Sequence, residues 1–263
     1  MQKIISWNVA SVRARMPVLT EFLRAEKPDV VLLQEIKATE ETFPFWDLKM
    51  EGYEAVISGQ KGYNGVAILS RQPLKNKITT LVGFEDQARF VSGETETGVI
   101  VISVYVPNGN PPQKDPADTS KLIYKLAWMK ALGDYVAELI RGGRSVVLGG
   151  DFNVIERESD VYAPDLFRES ALMIPNVQEA YRKITEGHLQ NMIRKFYPEP
   201  HTYSFWDFQG GAWPKNDGIL LDAIWVTSGV AEKVEGATIY KSIRALKGTS
   251  DHVPVGIELK ESL

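Results

Sequence analysis

Short apolar runs separated by polar turns dominate the chain. Residues 3–9, 29–33, 65–70, 99–106, 145–148, 219–226 and 253–259 are continuous or alternating runs of Val, Ile, Leu and aromatic side chains, a spacing that predicts β-strands. Residues 118–141 carry the helical period instead. There Leu122, Leu126, Met129, Val136, Leu139 and Ile140 fall on one face, Asp118 can cap the start, and Gly142-Gly143 can end the helix. A second helix is predicted over 11–25, burying Leu19, Phe22 and Leu23, with Pro17 tolerated near its first turns. Shorter helices are expected between 166 and 196. Strands mixed with helices without strict alternation predict two mixed β-sheets packed face to face with helices outside, a four-layered α/β sandwich. The Pro- and Gly-rich stretch 107–118 reads as a surface loop. With no repeat or linker in view, residues 1–263 are expected to form one domain.

Composition changes this picture little but narrows the chemistry. Hydrophobic residues make up 44% and charged residues 24%, as in ordinary globular chains. The absence of cysteine excludes disulfides and thiolate metal sites, so any metal must be held by Asp, Glu, Asn or His, which points to a hard cation. The opening MQKIISWNVA runs straight into a strand pattern without signal-peptide features, which predicts a cytoplasmic protein. No apolar run approaches the ~18 residues needed to cross a bilayer, so no membrane partner is expected. A formal net charge of −4 argues against binding nucleic acid through a generally basic surface, although a cation held by acidic residues would reverse the local field.

The informative pattern is an apolar strand that ends in a polar residue able to bind metal or move protons. It recurs at Ile4-Ile5-Ser6-Trp7-Asn8, Leu32-Leu33-Gln34-Glu35, Val104-Tyr105-Val106-Pro107-Asn108, Gly149-Gly150-Asp151-Phe152-Asn153, Leu220-Leu221-Asp222 and Ser250-Asp251-His252. Taken singly, Glu35 reads as a strand reaching solvent, and Asp151 and Asp251 read as turn residues. Asp222 resists that explanation, because Leu220 and Ile224 flank it on its own face. Charged groups are expensive to bury unless they are paired or bound to metal, and strand ends are rigid places to assemble a site. As a set these residues supply what phosphodiester hydrolysis needs.

The phrases SWNVASVRAR, DVVLLQEIKA, GQKGYNGVAILSR, VYVPNGN, YKLAWMKALGDY, VVLGGDFNV, YSFWDFQGGAW and GTSDHVPV span nearly the whole chain in this order. They resemble the successive motifs of exonuclease III-type abasic-site endonucleases, within the endonuclease/exonuclease/phosphatase superfamily. GDFN and SDH alone would mark only the superfamily; the combination is specific. The resemblance implies a DNA-repair nuclease that hydrolyses phosphodiester bonds 5′ to abasic sites, with 3′-5′ exonuclease and 3′-end-cleaning activity. Its expected partner is double-stranded DNA carrying abasic sites or blocked 3′ ends, and it is expected to act as a monomer. The resemblance also assigns Asn8, Glu35 and Asp251 to a Mg2+ site that Mn2+ can also fill. It implies that Asp151 orients and deprotonates the attacking water, that Asn153 holds the phosphate, and that Asp222 pairs with His252, which donates to a phosphate oxygen. Tyr105 would contact the scissile phosphate or assist the leaving group, and Asn108 would be a further phosphate donor. Arg13, Lys61, Tyr63 and Asn64 would contact DNA, and Phe205, Trp206 and Leu221 would form an apolar pocket for the abasic sugar. His188 and His201 match no position in these motifs.

Two departures from the family pattern carry expectations. Ala10 stands where relatives commonly have Asn or Asp after the WNV run, which removes a polar neighbour of the cation and is expected to lower metal affinity. Leu220 stands where relatives usually carry Arg, and Ile219 where some carry an aromatic, which leaves pocket selectivity and the balance of activities open. On the residues alone, a small-phosphoester hydrolase and a catalytically weakened damaged-DNA-binding protein remain as alternatives.

Overall fold

The computed structural model describes residues 2–185 and 187–260. Among these, the strands follow one another as β1 (Gln2–Asn8), β2 (Val30–Gln34), β3 (Glu54–Ser58), β4 (Val66–Ser70), β5 (Lys75–Ile78), β6 (Phe90–Glu94), β7 (Ile100–Tyr105), β8 (Val146–Asp151), β9 (Leu189–Asn191), β10 (Asp222–Thr227), β11 (Val234–Ile239) and β12 (Val255–Leu259). They form two six-stranded sheets with orders β11-β12-β1-β2-β4-β3 and β5-β6-β7-β8-β10-β9. In each sheet the central pair, β1 with β2 and β7 with β8, is parallel and its neighbours are antiparallel.

Period-two alternation explains the layering. In β1 and β2, Ile4, Val30 and Leu32 face the other sheet and pack with Val101, Val147 and Ile224, whereas Ile5, Val31 and Leu33 point outward. Both faces are covered, so these strands read as continuous apolar runs. The outward face of the first sheet packs on α1 (Val12–Glu26) through Leu19, Phe22 and Leu23, and α2 (Phe45–Met50) adds Leu48. The second sheet packs on α3 (Ser120–Arg141) through Trp128, Met129, Leu132 and Val136, and on α4 (Pro175–Thr185) through Val177 and Tyr181. The result is helix, sheet, sheet, helix, as the sequence pattern implies. Burying each such Leu, Val or aromatic side chain contributes about 1.5–3 kcal/mol, so the layering is set by these positions. No helix among the described residues is long and apolar enough to cross a membrane.

The two sheets also touch through polar groups near one end. Gln34 of β2 donates to Ser103 Oγ of β7 at 3.0 Å, and Ser103 Oγ donates to the Leu33 carbonyl at 3.0 Å. Gly149 and Gly150 let β8 run close to its neighbours: a Cβ on Gly150 would lie 2.0 Å from the Val104 carbonyl oxygen, and one on Gly149 2.6 Å from Leu32. Larger side chains there would push apart the strands that deliver Asp151.

Some elements differ from the sequence expectations. β3, β5, β6, β9 and β11 lie outside the expected strand runs: β5 is wholly exposed, β9 has three residues, β3 and β11 are edge strands, and β6, though buried, follows Phe90-Val91 with Ser92-Gly93-Glu94 and so carries no apolar run. The strand expected from 219 begins at Asp222, because Ile219 is instead bridged to Phe205 and Val161.

Candidate active site

The polar residues that end the strands all gather at one edge. β1, β2, β7 and β8 finish there, and β10 and β12 start there. Within the second sheet the register aligns three of them: Tyr105 pairs with Asp151 across β7 and β8, and Asp222 pairs with Asp151 across β10 and β8. From the first sheet, Asn8 at the end of β1 donates its amide N–H to Glu35 at 3.0 Å and to Asp151 at 2.9 Å, so one side chain joins carboxylates from both sheets. Glu35, Tyr105, Asn108, Asp151, Asn153, Asp251 and His252 line one cleft of about 720 Å³.

The second-sheet side of the cleft is interlocked. Asp222 is 1% exposed; its Oδ2 accepts from His252 Nδ1 at 2.8 Å and from Ser204 Oγ at 2.6 Å. That bond leaves His252 Nε2 directed toward Asp151 Oδ2 at 3.6 Å. Burial alone would push the imidazole pKa down, but the carboxylates of Asp222 and Asp151 outweigh it and raise it to about 10. Burial pushes the Asp151 carboxyl up to about 7, against the pull of His252. Asp151 Oδ1 accepts the Asn153 N–H at 3.0 Å, and Asn153 Nδ2 donates to the Val106 carbonyl at 2.9 Å. The Tyr105 phenol is held well above its ordinary pKa by burial and by the Glu35 and Asp151 charges, so it stays a donor. It donates to Glu35 at 2.8 Å, while Arg89 lies 4.8 Å over its ring.

The first-sheet side is more open. Glu35 sits at a left-handed φ of 50°, an uncommon conformation for a non-glycine residue, fixed by Ser11 N–H donating to its carbonyl at 2.8 Å. Its second carboxylate oxygen meets Lys37 Nζ at 2.8 Å. Burial would raise this carboxyl; hydrogen bonds from Lys37, Asn8 and Tyr105 outweigh it and hold it below its ordinary value. Asp251 is half-buried, with one oxygen accepting from Ser250 Oγ at 3.1 Å. No group of three or more His, Cys, Asp or Glu among the described residues is clustered so as to hold a metal ion on its own. Two carboxylates facing one cleft nevertheless fit a hard cation such as Mg2+, which keeps several waters and takes one or two carboxylates together with substrate phosphate oxygens.

Three positions expected at the site are buried. Asn8 is fully buried; its oxygen accepts the Ala10 N–H at 3.0 Å while its amide N–H groups serve Glu35 and Asp151. Asn64 is 5% exposed with its amide donating to Gln60 at 3.0 Å; it holds the loop, while Arg13, Lys61 and Tyr63 are exposed. Trp206 is fully buried among Tyr203, Ala212 and Val253 and does not line the cleft, because alternate residues of this segment face opposite ways. Phe205 and Leu221 do line it, joined by Tyr162, Phe167, Leu172 and Ile219 to make an apolar wall, and the Phe205 ring lies 4.8 Å from His252. Ser204, Lys37 and these added wall residues had no signal in spacing or period. His188 and His201 are exposed.

Comparison with known proteins places these residues in a family. Residues 5–252 match the Endonuclease/Exonuclease/phosphatase family. An exodeoxyribonuclease of Bacillus subtilis is 31% identical over 262 residues, covering 96% of this chain and 97% of the relative. Among solved structures, an AP endonuclease from Archaeoglobus fulgidus superposes with a TM-score of 0.92 at 32% identity, covering 99% of this chain and 100% of that one. A 3′ phosphatase from Neisseria bound to a product DNA hairpin superposes equally well, again with a TM-score of 0.92, 32% identity and coverage of 99% and 100%.

Proposed function

The chain belongs to the endonuclease/exonuclease/phosphatase family, and from that premise we propose that it is a DNA-repair nuclease hydrolysing phosphodiester bonds 5′ to abasic sites and trimming or cleaning 3′ ends at the same cleft. The observation that carries this reading is the row Tyr105, Asp151, Asp222 across the second sheet, with His252 paired to it and Glu35 and Asp251 opposite, beside an apolar wall. That combination suits a phosphate held next to a sugar lacking its base, which leaves the duplex at lower cost than an intact nucleotide. The relatives support both halves: one bears the name of an AP endonuclease, another of a 3′ phosphatase with product DNA bound.

In the proposed mechanism Asp151 accepts a proton from water as the oxygen attacks phosphorus. A carboxylate raised toward neutrality is matched to that task, since a general base works best with a pKa near the operating pH. His252, kept protonated by Asp222, donates from Nε2 to a non-bridging phosphate oxygen as charge builds, and the amides of Asn153 and Asn108 hold the same group. Tyr105 stays protonated and donates toward the phosphate or the leaving oxygen. The P–O3′ bond breaks and the leaving oxygen takes a proton from Tyr105 or from solvent, giving a 3′-hydroxyl and a 5′ phosphate on the abasic sugar, while Asp151 returns the proton taken from water to solvent. Glu35 and Asp251 would hold a divalent cation, Mg2+ with Mn2+ as its substitute. When bound, that ion supplies charge to polarise the phosphate and offset the leaving oxygen.

Arg13, Lys61 and Tyr63, which are exposed, would contact DNA phosphates without reading sequence. Phe205 and Leu221 would receive the abasic sugar. Because one chain supplies every group named here, the reading needs no second subunit, and it takes residues 1–263 as one catalytic domain acting as a monomer. The test is incubation with a duplex containing an abasic analogue, alongside recessed and blunt 3′ ends. Magnesium-dependent incision that chelator abolishes is expected; intact substrate after long incubation would refute the reading.

A further inference from the structure

Lys125 is a buried titratable group for which this mechanism has no use. It lies on α3 between Leu122 and Met129, fully buried on the helix face that packs against the second sheet. Its ammonium donates to the main-chain carbonyls of Asn108 at 3.1 Å, Asn153 at 2.6 Å and Ala171 at 2.7 Å. No carboxylate among the described residues pairs with it. An unpaired buried ammonium is costly, and burial pushes its pKa down to about 7 against the field of Asp151.

What offsets that cost is geometric. An ammonium offers three donors from one point, which no neutral side chain does. Here the acceptors lie on separate loops that wall the cleft: the one after β7 with Asn108, the one after β8 with Asn153, and the one that carries Leu172 ahead of α4. The loops are tied to one another as well, since Asn108 Nδ2 approaches Asn153 Oδ1 at 3.4 Å and Asn110 accepts the Ala171 N–H at 2.8 Å. Gly109, at φ 84°, brings the first loop against the lysine stem, and a Cβ there would lie 2.6 Å from Lys125 Cδ.

We propose that Lys125 is a positioning residue for phosphodiester hydrolysis: it pins the backbone of Asn108 and Asn153 from behind, so that their two amides face the scissile phosphate in fixed register. This rests on the functional reading above. Groups that must meet a transition state lose about 10²-fold in rate for a misplacement near 1 Å, so the expected loss sits in turnover rather than in binding.

The experiment is a double-mutant cycle on abasic-duplex incision by the full-length protein with magnesium. Lys125→Met is expected to lower kcat by about 10²-fold with KM within about twofold, whereas in an Asn153→Ala background the same change costs less than about threefold, because the amide it positions is gone. Equal losses in both backgrounds, or a loss confined to KM or thermal stability, would overturn the proposal. Should Lys125→Met fail to fold, Lys125→Gln, which keeps an amide donor, carries the same cycle. An inactive wild-type protein would sink the functional reading and this role with it; an active protein with additive losses would sink this role alone.

Discussion

The two rims of the cleft are built differently. On the second-sheet rim, Asp151, Asp222 and His252 are almost fully buried; His252 is hydrogen-bonded to Asp222, Asp151 is held by Asn8 and the Asn153 N–H, and Asp151 and His252 are shifted in pKa by burial and nearby charge. On the first-sheet rim, Glu35 and Asp251 are only partly buried, and Glu35 holds a lysine at 2.8 Å. The difference teaches what each rim is for. Moving a proton needs fixed geometry and an environment that brings a base toward neutral pH. Holding an exchangeable cation needs carboxylates that solvent and substrate can reach.

Breaking the buried rim has the largest expected effect. Asp151→Asn keeps the shape and removes the base, so kcat should fall by about 10⁴-fold, the upper end of what general-base catalysis contributes, with DNA affinity changed only slightly. Single-turnover incision alongside equilibrium binding measures both, and a loss confined to binding would move Asp151 out of the proton-transfer role. Asp222→Asn should cost about 10²–10³-fold in kcat, because His252 loses the partner that orients and charges it.

The same pair sets the pH profile. Asp151 acts only when deprotonated, so kcat/KM should fall as pH drops through its raised value near 7, far above the ~3.9 of an ordinary aspartate. His252 acts only when protonated, so activity should persist until pH rises through its own raised value near 10. In Asp222→Asn the alkaline limb should move to lower pH while the acid limb stays closer to its place. A profile flat across neutrality would show that Asp151 does not limit the rate.

Changes on the open rim should be smaller and of another kind. Glu35→Gln is expected to weaken divalent-ion affinity by about 10–100-fold, read directly from Mn2+ binding by electron paramagnetic resonance, with part of the rate recovered at high metal concentration. Unchanged Mn2+ binding would show that the ion is held elsewhere.

Much of this division was legible in the sequence, for a physical reason. A strand that ends its apolar run in Glu, Asp or Asn announces a polar group at a sheet edge, and Glu35, Tyr105, Asp151, Asp222 and His252 all meet at that edge. What was not legible depends on facing and on distant partners. Trp206 points into a separate cluster while adjacent Phe205 faces the cleft, and although the two alternate, the sequence does not say which of the two faces is the cleft. Asn64 is turned inward to hold Gln60, and Asn8 is turned so that its N–H groups rather than its oxygen serve the carboxylates. Lys125 sat three residues beyond Leu122 and four before Met129, on the buried face, yet a charged residue there reads as an interruption until the three carbonyls around it are known. Strands without a legible pattern, such as β5 and β11, are edges that bury too little to leave one.

The central claim is that both rims address a single phosphorus atom. The most direct measurement is a crystal structure of the Asp151→Asn protein with an uncut abasic duplex and a divalent ion. The account predicts the scissile phosphate between residue 151, His252 and the Asn153 amide, with the ion on Glu35 and Asp251 and the abasic sugar against Phe205 and Leu221. A duplex whose scissile phosphate sits away from residue 151, or an ion bound away from Glu35, would contradict it.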